Sequence, residues 1–353
     1  MSKVYFLDAR KLSRVSLLEK TSELFDKIGI GSIINSNDLV ALKINFGEIG
    51  NTSYIRPAFV RKIADKVKIC HGKPFITYAN TIYLGQRANA VNHINNAAYN
   101  GFDLGTINAP IIIADGLLGM DFDEIEVNQK YFKKVKIASA ISQADCLIAL
   151  SHFKGHEVTG FWGAIKNLGM GSGARPGKQN MHSDIKPQVN QNNCIICKEC
   201  QKFCPNKGAI TFENNTKKAH INSEICQGCG QCVAACRHHA ITLNWDTGPL
   251  QVQEKMAEYA LGVAATKGKK IAYLNFLLDI SPDCDCWPHN DIPVTNDIGI
   301  LASRDPVAID QASIDLVGHE KFLNLYPEIS EYNQLDYAQK IGLGIKKYDL
   351  INI

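Results

Sequence analysis

Cys194-Ile-Ile-Cys197-Lys-Glu-Cys200-Gln-Lys-Phe-Cys204-Pro205 and Cys226-Gln-Gly-Cys229-Gly-Gln-Cys232-Val-Ala-Ala-Cys236 are two copies of one comb, and together they hold eight of the chain's twelve cysteines. The spacing C-x2-C-x2-C-x3-C is a run whose thiolates hold [4Fe–4S] cubanes, with the fourth cysteine of each run ligating the other cluster. The expected ligand sets are Cys194, Cys197, Cys200 with Cys236, and Cys226, Cys229, Cys232 with Cys204. A zinc ribbon fits these gaps poorly, and a disulfide framework is disfavoured in a chain this long without a secretory signal.

The comb is part of a longer repeat. Cys194–Phe212 and Cys226–Leu243 align, each closing on a strand-like tail, Ala209-Ile-Thr-Phe212 and Ala240-Ile-Thr-Leu243. This is the pseudo-twofold pattern of a two-cluster bacterial ferredoxin module, a small α+β domain placed here at 187–246. Arg237, followed by His238 and His239, stands where the first comb has Pro205, a change expected to retune one cluster without abolishing it.

On either side the pattern is α/β. Val4–Leu7, Leu39–Ile44, Phe75–Tyr78, Ile111–Ala114 and Cys146–Leu150 read as buried strands. Between the first two, Leu17, Leu18, Leu24, Phe25 and Ile28 recur at helical spacing, and Gly29 is a natural stop. Pro57 belongs in a helix's first turn, backed by Phe59, Val60, Ile63 and Val67. After the combs, Ile271–Leu278 and Ile298–Ala302 read as strands and Pro306–Val317 as a helix capped by Ser303 or Asp305. The expected fold is two α/β parts, 1–186 and 247–353, with mostly parallel sheets, joined or interrupted by the ferredoxin-like domain.

With 45% hydrophobic and 21% charged residues and a net charge of +3, the composition is that of a globular protein and points to no nucleic-acid partner. No apolar stretch approaches the ~20 residues that span a bilayer, and Met1-Ser-Lys-Val-Tyr-Phe opens as a strand, not a signal peptide. Exposed cluster ligands imply a reducing, oxygen-poor cytoplasm.

Residues 151–182 are the richest stretch outside the combs. They include Ser151-His-Phe-Lys-Gly-His156, Gly160-Phe-Trp-Gly163-Ala-Ile-Lys166-Asn-Leu-Gly169, Arg175, Lys178 and His182. The stretch begins at the carboxyl end of a strand, where open α/β sheets bind ligands. Its histidines and cations can hold a metal, a carboxylate or a phosphate, whereas Gly171–Lys178 lacks P-loop spacing. Gly155 favours a loop between His152 and His156. Cys284-Asp285-Cys286 is a poor disulfide and suits ligation of a soft metal or cofactor, or redox chemistry. Cys70 and Cys146 sit in apolar runs and read as core residues.

Taken together, these motifs resemble the DUF362 family of iron–sulfur proteins. The resemblance rests on Gly85-Gln-Arg87 with His93, the 151–169 motifs, Cys284-Asp-Cys286 and Ser303-Arg-Asp-Pro-Val-Ala-Ile-Asp310. It implies the α/β body and the clusters. The pattern His156-x3-Gly160-x2-Gly163-x2-Lys166 with His182 is also similar to the lactate racemase family. That likeness implies His156 as acid/base, Lys166 as the attachment point of a nickel-pincer nucleotide, His182 as metal ligand and Arg56 as carboxylate anchor. Those racemases carry no ferredoxin.

The resulting expectation is an iron–sulfur oxidoreductase. Two [4Fe–4S] clusters relay electrons to a pocket of His152, His156, Lys166, His182 and the Cys284/Cys286 pair, which takes a small anionic substrate or further cofactor. A redox partner protein (ferredoxin, flavodoxin or reductase) follows. The alternatives are an electron carrier without its own chemistry and a racemase-like metal-cofactor isomerase.

Overall fold

Seven consecutive buried residues, Cys146–His152, and seven more, Ile271–Leu277, lie side by side and parallel in the middle of an eight-stranded sheet. The computed structural model describes residues 1–10, 15–82, 85–182, 187–204, 206–212, 218–226, 231–242, 248–330 and 332–353. Cys229, Pro205, Leu243 and the expected domain edges at 186 and 246 lie outside the described residues.

The strand order is Tyr348–Asn352, Ser2–Asp8, Gly299–Ser303, Ile271–Leu277, Cys146–His152, Leu39–Lys43, Lys73–Tyr78, Ile111–Ile113. Residues from both sides of the combs therefore enter one sheet. It is mostly parallel: Gly299–Ser303 alone runs against its two neighbours. Strands covered on both faces read as continuous apolar runs, which is why they were visible in the sequence. Alternation along Cys146–His152 sends Leu147 and Ala149 to one core and Cys146, Ile148 and Leu150 to the other.

The helix signals are realised locally. Ser16 and Glu19 form a reciprocal capping box on Leu17–Lys27, which ends before Gly29 at φ +76°. Pro57 opens Pro57–Ile69, and Asp305 caps Pro306–Val317 by accepting from the Val307 and Ala308 N–H groups. Helix Pro249–Lys267 was not anticipated. Its buried residues include Gln253, Lys255 and Glu258 as well as Met256 and Tyr259, so it lacks the polar face that periodicity detects. It packs on Ala164–Ser172 so closely that a Cβ at Gly169 would lie 2.1 Å from the Met256 carbonyl oxygen.

Between these parts the cysteine-rich segment forms short antiparallel pairs, Gln188–Val189 with Ile241–Thr242 and Ile210–Phe212 with Ala219–Ile221. Helices Glu199–Lys202 and Gln231–Ala235 precede the repeated tails, and Cys200, Cys232, Ile210, Val233 and Ile241 make a small core of their own. Among the described residues no helix is long and apolar enough to cross a membrane.

Helix Ala90–Tyr99 seats through His93, whose Nδ1 lies 3.3 Å from Asn80 Oδ1 and whose ring meets Phe46 and Tyr78 edge-on. Burial, then Arg87 and Lys178, push its pKa well below the ordinary histidine value. The folded chain thus binds this proton more weakly than the unfolded chain. Its contribution is present above the unfolded value of about 6.5 and is lost as pH falls, by up to about 1.4 kcal/mol per pH unit. Denaturant titrations from pH 7.5 to 5 should show this slope reduced in His93→Leu; an unchanged slope would show that His93 is not held neutral.

Candidate functional site

Parallel strands bring their carboxyl ends to one edge. Lys43 and Tyr78 end their strands there, His152 ends a third, and the loop beyond Leu277 carries Cys284–Cys286 back to the same place. Lys43, Arg87, Lys154, Lys166 and Lys178 are all buried at this edge. The Nζ atoms of Lys43 and Lys178 lie 4.1 and 5.6 Å from the centre of the Tyr78 ring, with Arg87 Cζ at 6.0 Å. Lys166 and Lys154 flank Trp162 at 4.3 and 4.6 Å.

Arg87 is neutralised: it pairs with Glu48 at 3.1 Å and donates to Asn45 Oδ1 at 2.6 Å. Gln86 N–H also donates to Glu48, so the Gly85-Gln-Arg87 motif is built around that carboxylate. Lys43 instead donates to Asn167 Oδ1, and Lys178 to the Gly173 carbonyl at 2.5 Å. Among the described residues, Lys43, Lys166 and Lys178 form no ion pair with a carboxylate. Burial is the largest influence on all three, pushing Lys43 well down, Lys166 down and Lys178 to about 8. Gly171 makes the arrangement possible, since a Cβ there would fall 2.0 Å from Lys43 Nζ.

The Cys-Asp-Cys motif does meet the 151–182 segment, through its aspartate. Asp285 accepts from His152 Nδ1 at 2.9 Å and from Lys154 Nζ at 2.5 Å. Burial pushes its carboxyl up, but His152 and Lys154 outweigh burial and hold it well below the usual range. His152 Nε2 faces the carbonyls of Leu278 and Asp279 at 3.0 and 3.1 Å. With acceptors at both nitrogens, the ring fits the doubly protonated form, a tether more than a proton carrier. Cys284 is buried, its thiol pushed up by burial and then by contact with Cys286, while Cys286 Sγ accepts from Asn45 Nδ2 at 3.8 Å. Gly155 lies in a hairpin, Lys154–His156 with Gly160–Trp162, and a Cβ there would sit 2.1 Å from the Pro282 carbonyl.

His156 and Lys166 face each other, Nε2 to Nζ, at 2.5 Å. Val158 N–H donates to His156 Nδ1 at 3.0 Å, which places the ring proton on Nε2. Lys166 must then accept it with a neutral amine, the form that burial favours. His156 is likewise pushed well down, by burial and then Lys166. His182 is half-buried in the same field, lowered to about 3 by burial and then by Lys166, Lys178 and Lys255.

Arg56 is not gathered into this group. It caps helix Pro57–Ile69 at the surface, pairs with Asp279 at 2.5 Å, and shares a cavity of about 220 Å³ with Phe59, Asp279 and His152. Lys43, Asn45 and Tyr78 were missed; their only signal is a polar terminus on an otherwise apolar strand.

In the comb segment Cys194, Cys197, Cys200 and Cys236 line one cavity of about 340 Å³ with Ile195, Phe212, Ala240 and Ile241. The Cys200 thiol is pushed up to about 11, by burial and then by Cys236, Cys197 and Cys194, so the four sulfurs share one neighbourhood. Backbone N–H groups of Ala219 and Ala240 donate to Cys194 and Cys236 at 3.5 and 3.3 Å. Among the described residues no three His, Cys, Asp or Glu side chains converge on a single ion position. Cys226, Cys232 and Cys204 sit in the second half of the segment, with Cys232 buried and the other two half-buried.

Comparison with known proteins separates the segment from the body. Over 74 residues the chain is 32% identical to pyruvate synthase subunit PorD of Thermotoga maritima, covering 21% of this chain and 73% of that one. Over 60 residues it is 45% identical to a component of the ion-translocating oxidoreductase complex of Methanosarcina acetivorans. That match covers 17% of this chain and spans only 21% of the relative's length. Among solved structures, the lactate racemase apoprotein of Thermoanaerobacterium thermosaccharolyticum is similar at 12% identity and a TM-score of 0.38, over 88% of this chain and 57% of that chain. The model of the family described as "domain of unknown function (DUF362)" matches residues 40–315, which take in the central strands, the buried lysines, both combs and the Cys-Asp-Cys loop. The chain belongs to the DUF362 family.

Proposed function

We propose that the chain is an iron–sulfur protein with two [4Fe–4S] clusters that serve a pocket for a small anion at the carboxyl edge of the sheet, and that it acts as an oxidoreductase. The observation that carries this reading is the excess of buried cationic side chains over carboxylates at that edge. Buried ammonium groups without counter-ions cost several kcal/mol each, a cost that a bound carboxylate or phosphate offsets. The similarity to ferredoxin-type subunits supports the redox half, and a redox partner protein follows from it.

The residues fit the clusters. Four thiols around one cavity, with N–H donors on two sulfurs and no point of convergence for a single ion, match a cubane that takes one thiolate per iron. The other set is Cys226, Cys229, Cys232 and Cys204. A cluster so held supplies one electron at a time.

Within the pocket the chain's own groups divide the work. Lys43 and Lys178 hold the anion across the Tyr78 ring, and Asn167 and Gly173 orient their ammonium groups. His156 Nε2–H and the neutral Lys166 amine form a relay that can pass a proton to a bound group, and the lone pair of Lys166 is available for covalent attachment. His152, Asp285 and Lys154 pin the loop that carries Cys284 and Cys286. Trp162 and Tyr78 keep water out. Arg56 guards the outer cavity instead of the pocket.

Two outcomes follow. Protein isolated without oxygen should carry about eight iron atoms and eight sulfides; Cys197→Ser should lose about half of each, and Cys284→Ser none. Full iron in Cys197→Ser would reject the ligand set. Lys43→Met should make the ligand-free protein more stable by about 1–3 kcal/mol, because it removes an uncompensated buried charge. A loss of stability of that size in urea titrations would instead make Lys43 a structural residue.

A further inference from the structure

Helix Arg175–His182 touches both the pocket and the comb segment. At its carboxyl half it carries Lys178 and His182; at its start lies Arg175, and the helix packs against Gln231–Ala235, which leads directly into Cys236. Arg175 is buried and wedged over Gly119, where a Cβ would lie 2.3 Å from its Cδ. Its backbone N–H donates to Asp115 Oδ2 at 3.2 Å, and its Nη1 to the Leu118 carbonyl at 3.4 Å. Asp115 is itself buried and held by Asn80, whose N–H and side-chain amide both donate to Oδ1 at 2.9 Å.

The charges around Arg175 form a continuous line. Its guanidinium is within electrostatic reach of Cys236 and of Asp115; Asp115 is in turn the first-ranked opposite charge on Lys178, and Lys178 senses Cys286 and lies over Tyr78. His239, just past the second comb, also feels Arg175. The line thus runs from a ligating thiol of the first set to the ring at the centre of the pocket.

We propose that the metal group held by Cys194, Cys197, Cys200 and Cys236 is the pocket-side one of the two, and that Arg175 is the positioning residue that ties its charge to the Asp115–Lys178 pair. This rests on the two-cluster reading above. A fixed cation beside a ligating thiolate favours the reduced, more negative state, since net charge and hydrogen bonding set cluster potentials. Asp115 opposes it from the other side. Arg175 and Asp115 should therefore act on the same cluster with opposite signs, and the other cluster should respond less to either.

The test is an anaerobic redox titration of the full chain, monitored by electron paramagnetic resonance, on the parent, Arg175→Met, Arg175→Lys and Asp115→Asn. In Arg175→Met the reduced-to-oxidised ratio of one signal at a fixed poise should fall by about fivefold, the size expected for one unit charge at about 10 Å in an effective dielectric of about 20–40. Arg175→Lys should restore most of it, Asp115→Asn should shift the same signal the opposite way, and the second signal should move clearly less. Equal movement of both signals, or none in a variant with full iron, overturns the assignment, as does a shift of the same sign in Asp115→Asn. If Arg175→Met does not fold, the Lys and Asn variants decide. A parent protein without iron or without two signals would overturn the cluster reading instead, before any variant is compared.

Discussion

The structure is organised around ammonium groups that are taken out of water without enough carboxylates to match them. Lys43, Lys166 and Lys178 end up beside Tyr78, Trp162, Asn167 and a glycine, all at the carboxyl edge of parallel strands. The surroundings are arranged to tolerate this. Asp285 absorbs His152 and Lys154, Glu48 absorbs Arg87, and Lys166 is let off its charge by the imidazole facing it. What remains is a positive remainder centred on Tyr78, which a carboxylate or phosphate fits.

The frame that permits it is stiff. Helix Ala164–Ser172, which delivers Lys166 and Asn167, is fixed at its start by Asp310, whose two oxygens accept the Ala164 and Ile165 N–H groups at 2.6 and 2.9 Å while Asn275 Nδ2 donates to one of them at 2.8 Å. On its flank, Gly169 lets helix Pro249–Lys267 approach to contact. Strands from both sides of the combs enter the same sheet, so the segment that carries the cysteines is attached to a body that cannot easily shift beneath it. Helix Arg175–His182 is the joint, reaching the pocket at one end and Cys236 at the other.

The most legible features are those whose chemistry is local in sequence. Ligand spacing in the combs, the capping box at Ser16 and the cap at Asp305 each need only a few neighbouring residues. The central strands were legible because burial on both faces removes their polar residues. What escaped depends on which distant elements meet. An apolar run does not declare its neighbours, so the single sheet and the reversed strand Gly299–Ser303 were not foreseen. Lys43 looks like the ordinary polar end of a strand until Lys73–Tyr78 and helix Ala164–Ser172 close over it. Arg56 shows the reverse case: its place at a helix start was readable, but its partner Asp279, 223 positions away, takes it out of the pocket. His152 was readable as part of a dense polar stretch, but not its two-sided anchoring by Asp285 and the Leu278 carbonyl.

The most direct test of the buried positive charge is a crystal structure of the protein isolated and crystallised without oxygen. Non-protein density bearing oxygen atoms within hydrogen-bond reach of Lys43 and Lys178 is the expected result. A closed pocket in which both ammonium groups meet only Asn167 and the Gly173 carbonyl, with no bound anion, would contradict it.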